Sequence, residues 1–193
     1  LKYDAVACPH CGYAALDRFF KFMMPAQARL IREHISANFK GLPATDSIYT
    51  YDDALERHQL ALLNTVIKKA KESERAYTCL KMAWICRGKA ESLSEELPNY
   101  KAQLKELKEQ EKELLENAYT GFETAFSKES FPMCGMDEIT VSYLLAELAR
   151  RIGKYEESSR WISRVLISRD ANDRIKNRAR EIKELLNKDM NKA

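Results

Sequence analysis

Apolar residues recur three and four positions apart along most of the chain, and each run is bounded by a turn signal. The sharpest run is 143–165, YLLAELARRIGKYEESSRWISRV. Leu145, Leu148, Ala149 and Ile152 share one helical face. After a turn at Gly153-Lys154-Tyr155, so do Tyr155, Ser158, Trp161, Ile162 and Val165, with Arg160 and Arg164 outside. Small residues at Ala146, Ala149 and Ser158 let the two backbones approach, so the spacing predicts a tight helical hairpin. Upstream, the same period predicts a helix over 25–40, with Leu30, Ile31, Ile35 and Phe39 inward. It predicts another over 51–71, with Leu55, Leu62, Leu63, Val66 and Ile67 inward. A third, over 73–92, runs through Tyr77, Leu80, Ala83, Trp84 and Arg87. A long fourth, 100–127, carries the stripe Leu104, Leu107, Leu114, Ala118, Phe122 and Ala125, about 42 Å at 1.5 Å per residue. Its first half is charged enough to project into solvent. The last helix, 172–189, buries Ile175, Ala179, Ile182, Leu185 and Leu186 beneath a charged exterior.

Local punctuation agrees. Pro25 suits a first helical turn, and Thr50 an N-cap ahead of Asp52 and Asp53. Ser73 reads as the cap of the next helix, and Leu97-Pro98-Asn99 breaks the chain. The loop before Thr50 carries Gly41 and Pro43. Residues 1–7 alternate loosely, as a short strand does. Phe19, Phe20, Phe22, Met23 and Met24 read as a plug over the end of the helix stack rather than a peptide-binding surface. A coiled-coil dimer through 100–127 is disfavoured, because the stripe lapses at Glu111. The predicted class is all-α, in two parts: 1–24, a knuckle and linker, and 25–193, a helical repeat domain.

The repeat reading rests on internal likeness. Thr50-Tyr51-Asp52-Asp53-Ala54 parallels Lys154-Tyr155-Glu156-Glu157-Ser158, and 81–87 parallels 144–150. Residues 139–172 resemble one tetratricopeptide repeat, with Ala146, Ala149, Gly153, Tyr155 and Ser158 at its signature positions. Stretches 25–71 and 74–130 fit as degenerate copies. The expected architecture is thus about three helical hairpins and a C-terminal capping helix.

Composition narrows the function classes. The net charge of +3 is too small to point to nucleic acid by itself. No run approaches the roughly 20 apolar residues of a membrane span. Five cysteines form no disulfide framework, which points to the reducing cytoplasm. Two of them stand in Cys8-Pro9-His10-Cys11-Gly12, where a CxxCG turn offers both thiolates to one ion. The completing pair is missing: Cys79 and Cys86 lie roughly 10 Å apart along a helix, and Cys134 is alone. The pair therefore reads as half a zinc ribbon whose first half precedes Leu1, against a bland turn with two free thiols. A redox pair is disfavoured, since no βαβ pattern surrounds it. Cys134, in 131–136, stands near a helix start, but no base or orienting group accompanies it.

CPHCGYAA (8–15), LKMAWICRGKAE (80–91), FPMCGMDE (131–138) and the 143–165 stretch together resemble a bacterial family catalogued as domain of unknown function 2225. The resemblance covers nearly the whole chain. It implies a divided zinc ribbon ahead of tetratricopeptide-like helices, with two further cysteines upstream. Zinc is then expected in the full-length protein through Cys8 and Cys11, and no cofactor in this fragment.

The leading expectation for function is a non-catalytic protein-interaction scaffold. Its groove would present Trp84 and Arg87 from one repeat, and Tyr143, Glu147, Arg150 and Arg151 from the next, to a protein or peptide. The alternative is a zinc-ribbon nucleic-acid binder or transcription-associated regulator using Arg150, Arg151, Lys154, Arg160, Arg164 and Arg169. Interspersed acids count against it. An enzyme is disfavoured, because no phosphate loop, triad or paired-carboxylate signature is present.

Overall fold

The computed structural model describes residues 1–42 and 48–191; Pro43 of the predicted loop lies outside them. The described residues are mostly helical, as expected of an all-α chain. They form two compact units, Leu1–Leu114 and Leu115–Ala193. No described helix is long and apolar enough to cross a membrane.

The first unit opens with two short antiparallel strands, β1 (Ala5–Ala7) and β2 (Ala14–Leu16), with Ala5 opposite Leu16 and Ala7 opposite Ala14. Only the first was predicted, because Ala-Ala-Leu carries no alternation to read. A helical turn, α1 (Asp17–Phe20), and α2 (Pro25–His34) follow, with Pro25 at the first turn as expected. The predicted 25–40 helix ends early, passing into a 3-10 turn at Ser36–Asn38. The aromatic plug is half right. Phe19, Phe20 and Met23 pack against Tyr13, Ala15, Ile31 and Ile35, whereas Phe22 and Met24 are exposed.

Helix α3 (Tyr51–Ile67) starts at Thr50, whose hydroxyl accepts from the Asp53 amide at 3.1 Å while Asp53 accepts the Thr50 amide. Its buried face corrects the apolar stripe expected from sequence. Ala54, Arg57, His58, Ala61, Asn64 and Thr65 are inside, while Leu63 and Val66 are half exposed. The reason is proximity. α3 packs on both strands and on α4 (Glu72–Glu91), and small side chains, with polar ones that bond their own helix backbone, allow that approach. His58 Nδ1 bonds the Ala54 carbonyl at 2.7 Å and the Thr65 hydroxyl donates to Leu62 at 2.7 Å. Buried Lys68 pairs with Glu74 at 2.6 Å. Gly88 on α4 is part of the same contact, since a Cβ there would lie 2.9 Å from the Tyr51 ring. The predicted Ser73 cap is not formed. Lys71 is the N-cap of α4 and Ser73 is buried in its first turn, after a reversal at Lys69 with φ of 54°.

Helix α5 (Tyr100–Lys128) is one uninterrupted helix that gives its first part to the first unit and the remainder to the second. In the second unit its Leu115, Ala118, Tyr119, Phe122 and Ala125 are buried. The predicted hairpin is there as α6 (Glu138–Arg151) and α7 (Tyr155–Ile167), turning at Gly153 with φ of 82°. Ser158 seats its hydroxyl on the Ala146 carbonyl at 2.8 Å, where the two helices touch. α8 (Asp173–Met190), capped by Asn172 on the Ile175 amide, lies over both, burying Ala179, Ile182 and Leu186. Leu185, expected inside, is exposed.

Candidate functional site

The CxxCG turn is the tip of the β1–β2 hairpin. The Cys8 amide donates to the Tyr13 carbonyl at 2.8 Å and the Gly12 amide returns to the Cys8 carbonyl at 3.1 Å. That closure needs a left-handed residue, and Gly12 has φ of 71°. A side chain at Gly12 would also lie 2.6 Å from the Phe39 ring. Both thiols are free and partly exposed, between exposed Pro9 and His10 on one side and the helices on the other. The amides of His10 and Cys11, and then the Cys11 thiol, hold the Cys8 thiol below its ordinary value. Amides aimed at sulfur favour thiolate, the form that binds metal. The donor chemistry fits a thiophilic divalent ion such as zinc, to which Cys8 and Cys11 would give two of the four ligands of a tetrahedral site. Among the described residues no third His, Cys, Asp or Glu joins them.

The other predicted residues fall into two groups, one in each unit. In the first unit Trp84 is half buried on α4, with the Lys81 ammonium 5.1 Å from its ring. Lys81 also lies 5.3 Å from Tyr77, and the Arg18 guanidinium is 5.0 Å from that ring. Tyr77, Lys81 and Trp84, spaced four and three apart, thus form one aromatic and cationic row. Beside it a cleft of about 270 Å³ is lined by Asp4, Leu16, Asp17, Arg18, Tyr77 and Lys81. Lys81 pairs with Asp4 at 2.8 Å, and its hydrogen bond and charge outweigh burial to hold the Asp4 carboxyl below its usual range. Arg87, expected to face a partner, instead gives two hydrogen bonds to Glu111 of α5.

In the second unit Tyr143, Glu147, Arg150 and Arg151 do come together, but on one another and on α8. Glu147 takes both forks of Arg150 at 3.0 Å and also the Arg151 guanidinium. Arg150 reaches Asp189 of α8 as well. Tyr143 packs beside Ala146, Ile162, Ile182 and Leu186. Its hydroxyl is pushed up by burial and then by Glu147. Three of the other basic residues are occupied as well. Arg164 pairs with Glu138, Arg160 with Glu156 at 4.0 Å, and Lys154 stands 4.8 Å over Tyr119.

Sequence reasoning passed over Tyr77, Lys81 and Arg18. The four-three spacing of Tyr77, Lys81 and Trp84 was a readable signal; Arg18 reaches them only through the hairpin. A family model described as an uncharacterized protein conserved in bacteria, DUF2225, matches residues 1–186. No curated protein and no solved structure matches the chain.

Proposed function

The chain belongs to the DUF2225 family, and we propose that it is a non-catalytic scaffold of tetratricopeptide-like helical hairpins, working in the reducing cytoplasm. It holds a protein or peptide on the α4 face, and in the full-length protein the Cys8–Cys11 knuckle gives two thiolates to a zinc ion. The observation that carries the reading is the Tyr77–Lys81–Trp84 row with Arg18. Half-buried aromatic rings with stacked cations are the usual anchors of protein interfaces. The close-packed α6–α7 hairpin under α8 supports the repeat architecture. In unit two, Tyr143, Glu147, Arg150 and Arg151 then serve the capping helix rather than the partner.

The nucleic-acid alternative needs a field of free cations. Arg150, Arg151, Arg160 and Arg164 are each paired with a carboxylate, which weakens it. The test is capture of binding partners by the whole chain with and without nuclease, at low and raised salt. A discrete protein should survive both treatments and bind about 30-fold more weakly to Trp84→Ala, a loss of roughly 2 kcal/mol. Recovery that collapses with nuclease, or equal recovery by Trp84→Ala, would sink this reading.

A further inference from the structure

We infer that Ser36 and Asn64 are positioning residues of the Cys8–Cys11 knuckle: they fix its backbone from behind and so preset the separation of the two thiolates for metal. The inference rests on the reading of Cys8 and Cys11 as metal ligands.

Two consecutive carbonyls of the turn, those of Cys11 and Gly12, are bonded by side chains from the helical part of the unit. The Ser36 hydroxyl donates to Cys11 at 2.8 Å, and the Asn64 amide nitrogen donates to Gly12 at 3.0 Å. These are the carbonyls of the second thiol and of the left-handed glycine that turns the chain back toward Tyr13. Holding both fixes the peptide planes that carry Cys11 and close the loop. Ile35 and Phe39, on either side of Ser36, fill the space under Gly12. The turn is thereby pressed between the 3-10 turn after α2 and the last turn of α3.

Asn64 is the more informative of the two. It is fully buried, and its second donation, at 2.8 Å, goes to its own helix at Leu60. Two carbonyl acceptors fix which end of the amide is nitrogen. Its Oδ1 has no hydrogen-bond partner among the described residues. A buried acceptor left unmade is costly, and an apolar side chain would avoid that. The residue is explained by its donor, which serves Gly12. Groups that orient metal ligands without touching the metal change affinity by about 10–100-fold when removed.

The experiment titrates the reduced full-length protein with cobalt(II), following the thiolate-to-cobalt charge-transfer band in the near ultraviolet. Binding replaces the two thiol protons, which leave to solvent, with two sulfur–cobalt bonds. Wild type should show the band and Cys11→Ser should lose it. Ser36→Ala should weaken cobalt binding about tenfold, and Ser36→Thr, which keeps the hydroxyl, should restore it. Asn64→Ala should weaken it at least as much, with folding checked by far-ultraviolet circular dichroism; if that variant unfolds, the Ser36 pair carries the test. Unchanged affinity in Ser36→Ala and in any folded Asn64→Ala, with the wild-type band present, would overturn the positioning role alone. Absence of the band in wild type would overturn the metal reading beneath it.

Discussion

At the scale of single residues, burial sets two of the thiols apart from Cys8. Cys79 and Cys86 are both pushed up to about 11 by burial, so neither offers thiolate near neutrality. Cys8 is shifted the other way and is partly exposed. Native chain treated with iodoacetamide at pH 8 should therefore be alkylated at Cys8 before Cys79 or Cys86, as peptide mass spectrometry would read. Early labelling of Cys79 would contradict the packing of α4. His58 makes a second case. Burial lowers its pKa from 6.5, partly offset by the Ala54 carbonyl and by Asp4, and reinforced by Lys81 and the N-terminus. Above pH 6.5 neither folded nor unfolded chain holds that proton, and the stability is fully present. Below it the unfolded chain takes up a proton that the native site resists, so stability falls as the solution is acidified. Melting temperature should decline from pH 7 to pH 5 in wild type, and that decline should flatten in His58→Phe. The lowered carboxyls of Asp4, Asp53 and Asp137 act elsewhere, with their contributions lost only below about pH 3.8.

At the scale of elements, legibility followed the kind of neighbour each helix has. The α6–α7 hairpin was readable down to its turn, because each helix shows one apolar face to another helix and Gly153 marks the reversal. Helix α3 was readable in extent and in its Thr50 cap, but not in which face is inside. Its neighbours are a strand pair and a closely packed helix, so Ala61 and self-bonded Asn64 and Thr65 fit where leucines would not. Hydrophobicity alone points such a helix the wrong way. The same blind spot hid Ser36 and Asn64 from the candidate site, since nothing local to either residue indicates Cys11 or Gly12. Two substitutions test the element contacts. Thr50→Ala should lower stability by about 1 kcal/mol through its lost cap. Gly88→Ala should destabilise the first unit more than an ordinary exposed Gly→Ala change, which is mildly favourable in a helix, because of the Tyr51 ring. Urea denaturation would measure both.

At the scale of the whole chain, two units each enclose their own core, which predicts separable openings. Leu145→Ala, at a site with no exposed surface, should cost about 2–5 kcal/mol. Hydrogen exchange should show that loss in the second unit, while the first keeps its protection; a uniform loss would mean the units open as one. The Asn64 link to Gly12 also orders events in time. The two residues stand 52 positions apart, so at about 5–20 residues per second the ribosome delivers Asn64 roughly 3–10 seconds after the knuckle. During that interval the nascent chain carries Cys8 and Cys11 as an unsupported pair of thiols. On the proposed metal reading, loading follows the synthesis of α3, and a pause in translation between the two would lengthen the window in which those thiols meet an oxidant first.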